Sequence, residues 1–175
     1  GQRVYIPTRI EEFKDSTGVI PAVKILNIYA SVGICCLLDY EGNVYSFGYN
    51  WGGQLGHGDI NAGKNYPTKI ETYHDNNGNV INDFIKISQI SLAGYYDETG
   101  SITFLDTNGN IYVTGKNFRY EFGNGTLDTQ QYSTPTKLDV FSNIISIDHG
   151  MYLKLTDLIP KYTSSDITGT VIIKY

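Results

Sequence analysis

The strongest constraint on this chain is that it repeats itself. Pro7-Thr8-Arg9-Ile10, Pro67-Thr68-Lys69-Ile70 and Pro135-Thr136-Lys137-Leu138 recur at spacings of 60 and 68 residues. After the first two an acid leads to a turn: Glu11 to Asp15-Ser16-Thr17-Gly18, and Glu71 to Asp75-Asn76-Asn77-Gly78. The longest match sets Asp39-Tyr40-Glu41-Gly42-Asn43-Val44-Tyr45 against Asp106-Thr107-Asn108-Gly109-Asn110-Ile111-Tyr112. It continues as Gly48 against Gly115, Asn50 against Asn117, and Gly56-His57-Gly58 against Gly123-Asn124-Gly125. Ile144 to Asp157 begins a third copy, with Gly150 in the place of Gly33 and Gly94. Residues 1–10 read as the tail of a preceding repeat, 11–70 as repeat 1 and 71–138 as repeat 2. Residues 139–175 read as a partial third repeat with a divergent C-terminal strand.

Each unit reads as strands. VKILNI, GICCLL and NVYSFG have strand length and mix β-branched, aromatic and alternating apolar residues. The Asp-x-x-Gly-Asn connections at Gly42 and Gly109 are hairpin signals, and 19 Gly with 15 Tyr and one Met exclude an all-helical fold. A three- or four-stranded unit of this size cannot bury both faces alone, so it must stack on neighbours as propeller blades do. The expected fold is all-β, with about three antiparallel blades of a partial β-propeller in 175 residues.

These residues carry a resemblance. The segment GNVYSFGYNWGGQLGHGD, followed by Pro67-Thr68-Lys69-Ile70, resembles the repeat of the regulator of chromosome condensation family. In repeat 1 the matching positions include Gly42, Gly48, Asn50, Gly53, Gln54, Leu55, Gly56 and Gly58. In repeat 2 they include Gly109, Gly115, Asn117, Gly123 and Gly125. Repeat 2 departs at Thr114, where an aromatic is usual, at Tyr120 in the place of Gly53, and at Glu121-Phe122 in the place of Gln54-Leu55. The resemblance implies a β-propeller, typically of seven blades, that acts through protein surfaces. Relatives include an exchange factor for a small nuclear GTPase and an inhibitor of a secreted β-lactamase, and neither role maps onto residues of this chain.

Candidate sites are few. The hairpin turns contain the acids and amides of a calcium loop, but Gly stands fourth instead of sixth and no Glu stands twelfth. His57, His74 and His149 lie apart, without ligand spacing, so no metal and no cofactor are expected. Cys35 and Cys36 are adjacent in an apolar strand, a context that raises a thiol pKa and suits packing over nucleophilic chemistry. Asp39 and Asp106 hold equivalent places and read as turn caps. No triad order or phosphate loop is present, and no catalytic residue is assigned.

One insertion stands out. Gly33 to Gly42 spans 9 residues and Gly94 to Gly109 spans 15, six more, and the extra material is about Tyr95-Tyr96-Asp97-Glu98-Thr99-Gly100. Tyrosines give contact area at low entropy cost and acids set a charge preference, so Tyr95, Tyr96, Asp97 and Glu98 are the candidate partner-binding rim loop. Trp51 and Phe118 share one place in two repeats and are expected first to pack between blades and second to form a surface contact.

The leading expectation is a non-catalytic protein–protein interaction module, with other segments or copies completing the propeller. A carbohydrate- or ligand-binding surface protein of bacterial or viral origin is the alternative, motivated by abundant Tyr and Asn. A hydrolase at the propeller mouth is third. A net charge of −5 and no basic cluster argue against nucleic acid. No apolar run is long enough to insert in a membrane as a helix, and no signal peptide is visible in the first ten residues.

Overall fold

The computed structural model describes residues 9–60, 63–94, 100–125, 131–148 and 151–154, and every regular element among them is a strand. The first sheet contains β1 (Glu12–Asp15), β2 (Gly18–Pro21), β3 (Ile25–Ser31), β4 (Ile34–Asp39), β5 (Val44–Gly48) and β6 (Lys64–Lys69), in the order β2-β1-β6-β5-β4-β3. The second contains β7 (Tyr73–His74), β8 (Val80–Ile81), β9 (Ile87–Gly94), β10 (Gly100–Asp106), β11 (Ile111–Lys116) and β12 (Gln131–Lys137), in the order β8-β7-β12-β11-β10-β9. β13 (Ile144–Asp148) and β14 (Met151–Lys154) form an antiparallel pair beyond it.

Each sheet is one four-stranded antiparallel meander, β3 to β6 or β9 to β12, extended at its outer strand by a hairpin. That hairpin precedes the meander in sequence and joins it in parallel, Lys14 against Thr68 and His74 against Thr136. Strands β6 and β12 contain Pro67 and Pro135, which cannot donate to a regular ladder. The register slips at that point, between Ser46 and Gly48 in one sheet and between Val113 and Gly115 in the other, so each proline lies in the irregular stretch.

Alternation along the strands sorts the core into layers. On β4, Ile34, Cys36 and Leu38 enter the cluster between the two sheets, while Cys35 and Leu37 point to the opposite face. The inter-sheet cluster takes Ile90, Leu92, Ile102, Phe104 and Tyr112 from the second sheet. Leu105, Ile111, Val113 and Phe122 lie on that sheet's other face, packed with Ile144 and Ile147 of β13. The hairpin glycines lock successive units: the Gly42 carbonyl accepts Ile87 N at 3.0 Å, and the Gly109 carbonyl accepts Ile144 N at 3.2 Å.

One equivalence differs from the sequence alignment. A Cβ on Gly48 would lie 2.1 Å from the Gly33 carbonyl oxygen, and one on Gly115 would lie 2.0 Å from that of Gly100. Gly100, not Gly94, therefore occupies the place of Gly33, because the insertion lies between β9 and β10 and shifts the match to its far end.

Candidate functional site

The Asp-x-x-Gly-Asn turns consume their own polar groups. Asp39 Oδ1 accepts Glu41 N and Asn43 N at 2.9 and 2.8 Å, and Oδ2 accepts Asn43 Nδ2 at 2.8 Å. Asp106 repeats the pattern with Asn108 N and Asn110 N, both at 2.8 Å, and Asn110 Nδ2 at 2.7 Å. Asp75 does the same in the β7–β8 turn, where its hydrogen bonds to Asn79 hold the carboxyl below its usual range. Among the described residues, no three His, Cys, Asp or Glu come together as metal ligands would.

At the opposite end of each meander, the loop after β5 or β11 is built on one buried asparagine. Asn50 Oδ1 accepts Leu55 N at 3.0 Å, and Asn117 Oδ1 accepts Phe122 N at 3.0 Å. Gln54 Oε1 accepts Gly52 N, and Glu121 Oε2 accepts Arg119 N, each at 2.7 Å. These bonds fix two tight loops that bury Leu55 and Phe122 and turn their other aromatic residues outward. Tyr49, Trp51, Phe118 and Tyr120 are all exposed.

A polar cavity of about 330 Å³ lies beside the first loop, lined by His57, Asp59, Lys64, Glu71 and Ser16 among others. Lys64 pairs with Asp59 at 2.9 Å, and Glu71 accepts Ser16 N and Oγ at 2.8 and 3.0 Å. Ser46 Oγ donates to the Leu55 carbonyl at 2.6 Å and meets His57 Nε2 at 2.9 Å. With its proton on Leu55, the serine receives a hydrogen bond from the imidazole, the reverse of what a general base requires. Burial is the main cause that lowers the His57 pKa to about 4, with Lys64 adding to it, so the ring is neutral at pH 7.

Residues 41–96 match the Regulator of chromosome condensation (RCC1) repeat. Human WBSCR16 is similar at 21% identity and a TM-score of 0.51, over 70% of this chain and 28% of its own. Prp20p from Saccharomyces cerevisiae, in a structure described together with its binding to Gsp1p and histones, is similar at 19% identity and a TM-score of 0.54. That match covers 76% of this chain and 31% of Prp20p. The complex of Kap60 bound to yeast RCC1 (Prp20) gives 19% identity and a TM-score of 0.53 over 75% of this chain and 30% of that one. The fold is that of a partial RCC1-type β-propeller. The chain spans 28 to 31% of the length of these structures. A search of curated protein sequences gives no match.

As RCC1-type blades, the two repeats place their motif residues in matched positions, and the departures of repeat 2 acquire a location. Tyr120 stands at φ 62° where Gly53 stands at φ 70°. Phe122 fills the buried place of Leu55. Glu121 Oε1, at the place of Gln54, is buried without a hydrogen-bond partner. Thr114 replaces an aromatic with a hydroxyl that donates to the Gln54 carbonyl at 2.7 Å across the blades.

Trp51 and Phe118 correct the sequence expectation. They are 49% and 43% exposed and do not pack between blades, because the glycine loop itself fills that space and leaves its flanking aromatics outside. Cys36 is fully buried between the blades and Cys35 partly buried on the other face, and burial raises both thiol pKa values. Residues 95–99, with Tyr95, Tyr96, Asp97 and Glu98, lie outside the described residues, as do His149 and the C-terminal strand expectation. The outward Tyr49 and Tyr120 were missed in the sequence, although an aromatic in a glycine's repeat position is itself a readable signal.

Proposed function

We propose that this chain is a non-catalytic protein-interaction module. The RCC1-type propeller fold fits that role, and the observation that carries it is the aromatic display on the loops after β5 and β11. Tyr49, Trp51, Phe118 and Tyr120 are exposed on loops pinned by Asn50 and Asn117, so they offer contact area with little ordering cost. The meander puts these loops at the same end as Gly94 and Gly100, the strand ends that flank the Tyr95–Glu98 insertion. Prp20 is named with Kap60, Gsp1p and histones, which makes protein partners the class to test first. Excess acid over base makes a basic partner patch the fitting complement, with affinity falling as salt rises.

The test is affinity capture at low salt followed by calorimetry with the captured protein. Replacing Tyr95 and Tyr96 by Ala, or Trp51 and Tyr120 by Ala, is expected to weaken binding by about tenfold or more per pair. Unchanged affinity in both double variants, or no protein bound at low salt, sinks the reading. The arrangement of Ser46 and His57 argues against hydrolysis at that cavity, and a broad hydrolase screen is expected to stay silent.

A further inference from the structure

The hairpin-turn end of the meanders, away from the loops after β5 and β11, holds a recess between the two blades of about 190 Å³. Its apolar wall is Ile70 and Tyr73, both buried, with the partly buried Ile85. Phe84 stands at its edge and is 66% exposed.

The same corner recurs where β12 runs on toward β13, and there it is closed. Ile87 and Ile144 hold equivalent places, since each donates its N–H to a hairpin glycine carbonyl. Three residues before them stand Phe84 and Phe141. Phe141 packs against Tyr152, ring centroids 4.0 Å apart, and Lys137 pairs with Asp139 at 4.0 Å. Lys69 and Glu71 take the places of that pair at the first corner, but Glu71 turns to Ser16 N and Oγ instead. Among the described residues no ring covers Phe84.

The polar groups of the open corner mostly accept. Asn43 Nδ2 donates to Asp39 Oδ2 at 2.8 Å and to Glu41 Oε2 at 3.4 Å, which leaves its Oδ1 to accept. Asp83 is an exposed carboxylate that no hydrogen bond or ion pair engages among the described residues. Lys69 is the opposing charge; it also lines the neighbouring cavity beside Asp15, and Asp83 with Glu71 outweighs it. Acceptors and negative charge above an apolar, aromatic wall complement a long cationic side chain with a flat, donor-rich head.

We infer that this recess receives an arginine side chain from an exposed basic segment of a partner protein. The aliphatic stem lies along Ile70 and Ile85, the guanidinium faces the Phe84 ring, and its N–H groups donate to Asp83. Arginine fits better than lysine because its planar, weakly hydrated head stacks on a ring and donates along its edge at once. The inference rests on the interaction reading, to which it adds a second contact region and the chemistry of the residue bound there.

The probe is the peptide acetyl-Gly-Arg-Gly-amide, titrated into the isotope-labelled full chain and followed by amide chemical shifts. Saturable shifts are expected at Asn43, Asp83, Phe84 and Ile85, with a Kd of about 1 mM. The citrulline peptide keeps the shape and loses the charge, and is expected to bind about tenfold more weakly or worse. Asp83→Asn and Phe84→Ala are each expected to weaken the arginine peptide by about fivefold or more. Both side chains are exposed, so the spectrum away from the recess is expected to stay as it was. No saturable shift up to about 20 mM peptide overturns the proposal. So does equal affinity for the citrulline peptide, or an arginine affinity that Asp83→Asn leaves unmoved. Replacing Trp51 and Tyr120 leaves this titration unchanged. A captured partner that needs those two residues and ignores Asp83→Asn would therefore sink the recess and spare the interaction reading.

Discussion

The two glycine loops hold equivalent places, residues 53–58 and 120–125, yet they solve the same problem with different chemistry. The first is Gly-Gln-Leu-Gly-His-Gly and the second Tyr-Glu-Phe-Gly-Asn-Gly. The first lies against the Ser133 backbone and has no room for a side chain at Gly53. The second keeps the positive φ at Tyr120 but turns that side chain 57% into solvent. Backbone shape is thus what the repeat demands of both, while the side-chain restriction comes from the neighbour. The same division separates His57, which reaches Ser46, from Asn124, whose repeat has Val113 in the place of Ser46.

The way to break what the loops share is to fill the strand glycines. Gly48→Val or Gly115→Val puts a Cβ about 2 Å from a carbonyl oxygen of the adjacent strand. Either is expected to cost about 4 kcal/mol or more and to abolish cooperative urea unfolding. A well-folded Gly115→Val would show that the second blade tolerates what the first cannot. The loops themselves should then answer with opposite signs. Gly53→Ala is expected to destabilise by about 2 kcal/mol, and Tyr120→Gly to stabilise by about 1 kcal/mol by relieving a left-handed non-glycine residue. If both changes move the urea midpoint in the same direction, the shared backbone argument is wrong.

Smaller effects sharpen the contrast. Thr114→Val leaves the Gln54 carbonyl without its partner and is expected to lose about 1 to 2 kcal/mol, measured by thermal melting. Glu121→Gln removes a buried charge with one unpartnered oxygen and should gain about 1 kcal/mol, whereas the reverse change Gln54→Glu should lose stability. A neutral result for both would make the two positions equivalent after all.

The last of these contrasts is read in pH. His57 has a folded pKa of about 4, below its unfolded value of 6.5, so the unfolded state binds the proton first as pH falls. Its contribution is complete above about pH 6.5, declines between 6.5 and 4, and is constant below. Asp15 and Asp75, held down by turn hydrogen bonds, act in a lower window, below their unfolded 3.8. His57→Asn, which copies repeat 2, is expected to flatten the stability profile between pH 6.5 and 4 and leave the lower window alone.

Much of the blade was legible because its signals are local. The hairpin turns announce themselves through Asp39, Gly42 and Asn43, and the unbroken apolar run from Ile34 to Leu38 marks a buried strand. Strands β6 and β12 were hidden by Pro67 and Pro135, whose tolerance depends on a register slip that no local pattern encodes. The pairing of β1 with β6 was hidden for another reason: Lys14 and Thr68 lie far apart in sequence, and nothing near either names the other. The interaction surface was half legible. Trp51 and Phe118 were noticed by their repeat position, but their exposure follows from the glycine loop's packing against the neighbouring blade, and a single unit carries no record of that.

The hairpin on each outer strand also sets an order of events for a chain leaving the ribosome. β1 and β2 are made first, and the strand they must join, β6, is made last in its blade. Until Thr68 and Glu71 emerge, the partners of Lys14 and Ser16 do not exist. A nascent first blade therefore waits with an unsatisfied hairpin while more than 50 residues are added, and each blade closes only as its last strand arrives. Synthesis speed across residues 20–70, more than the stability of any one turn, then governs how long that open edge is available to wrong partners.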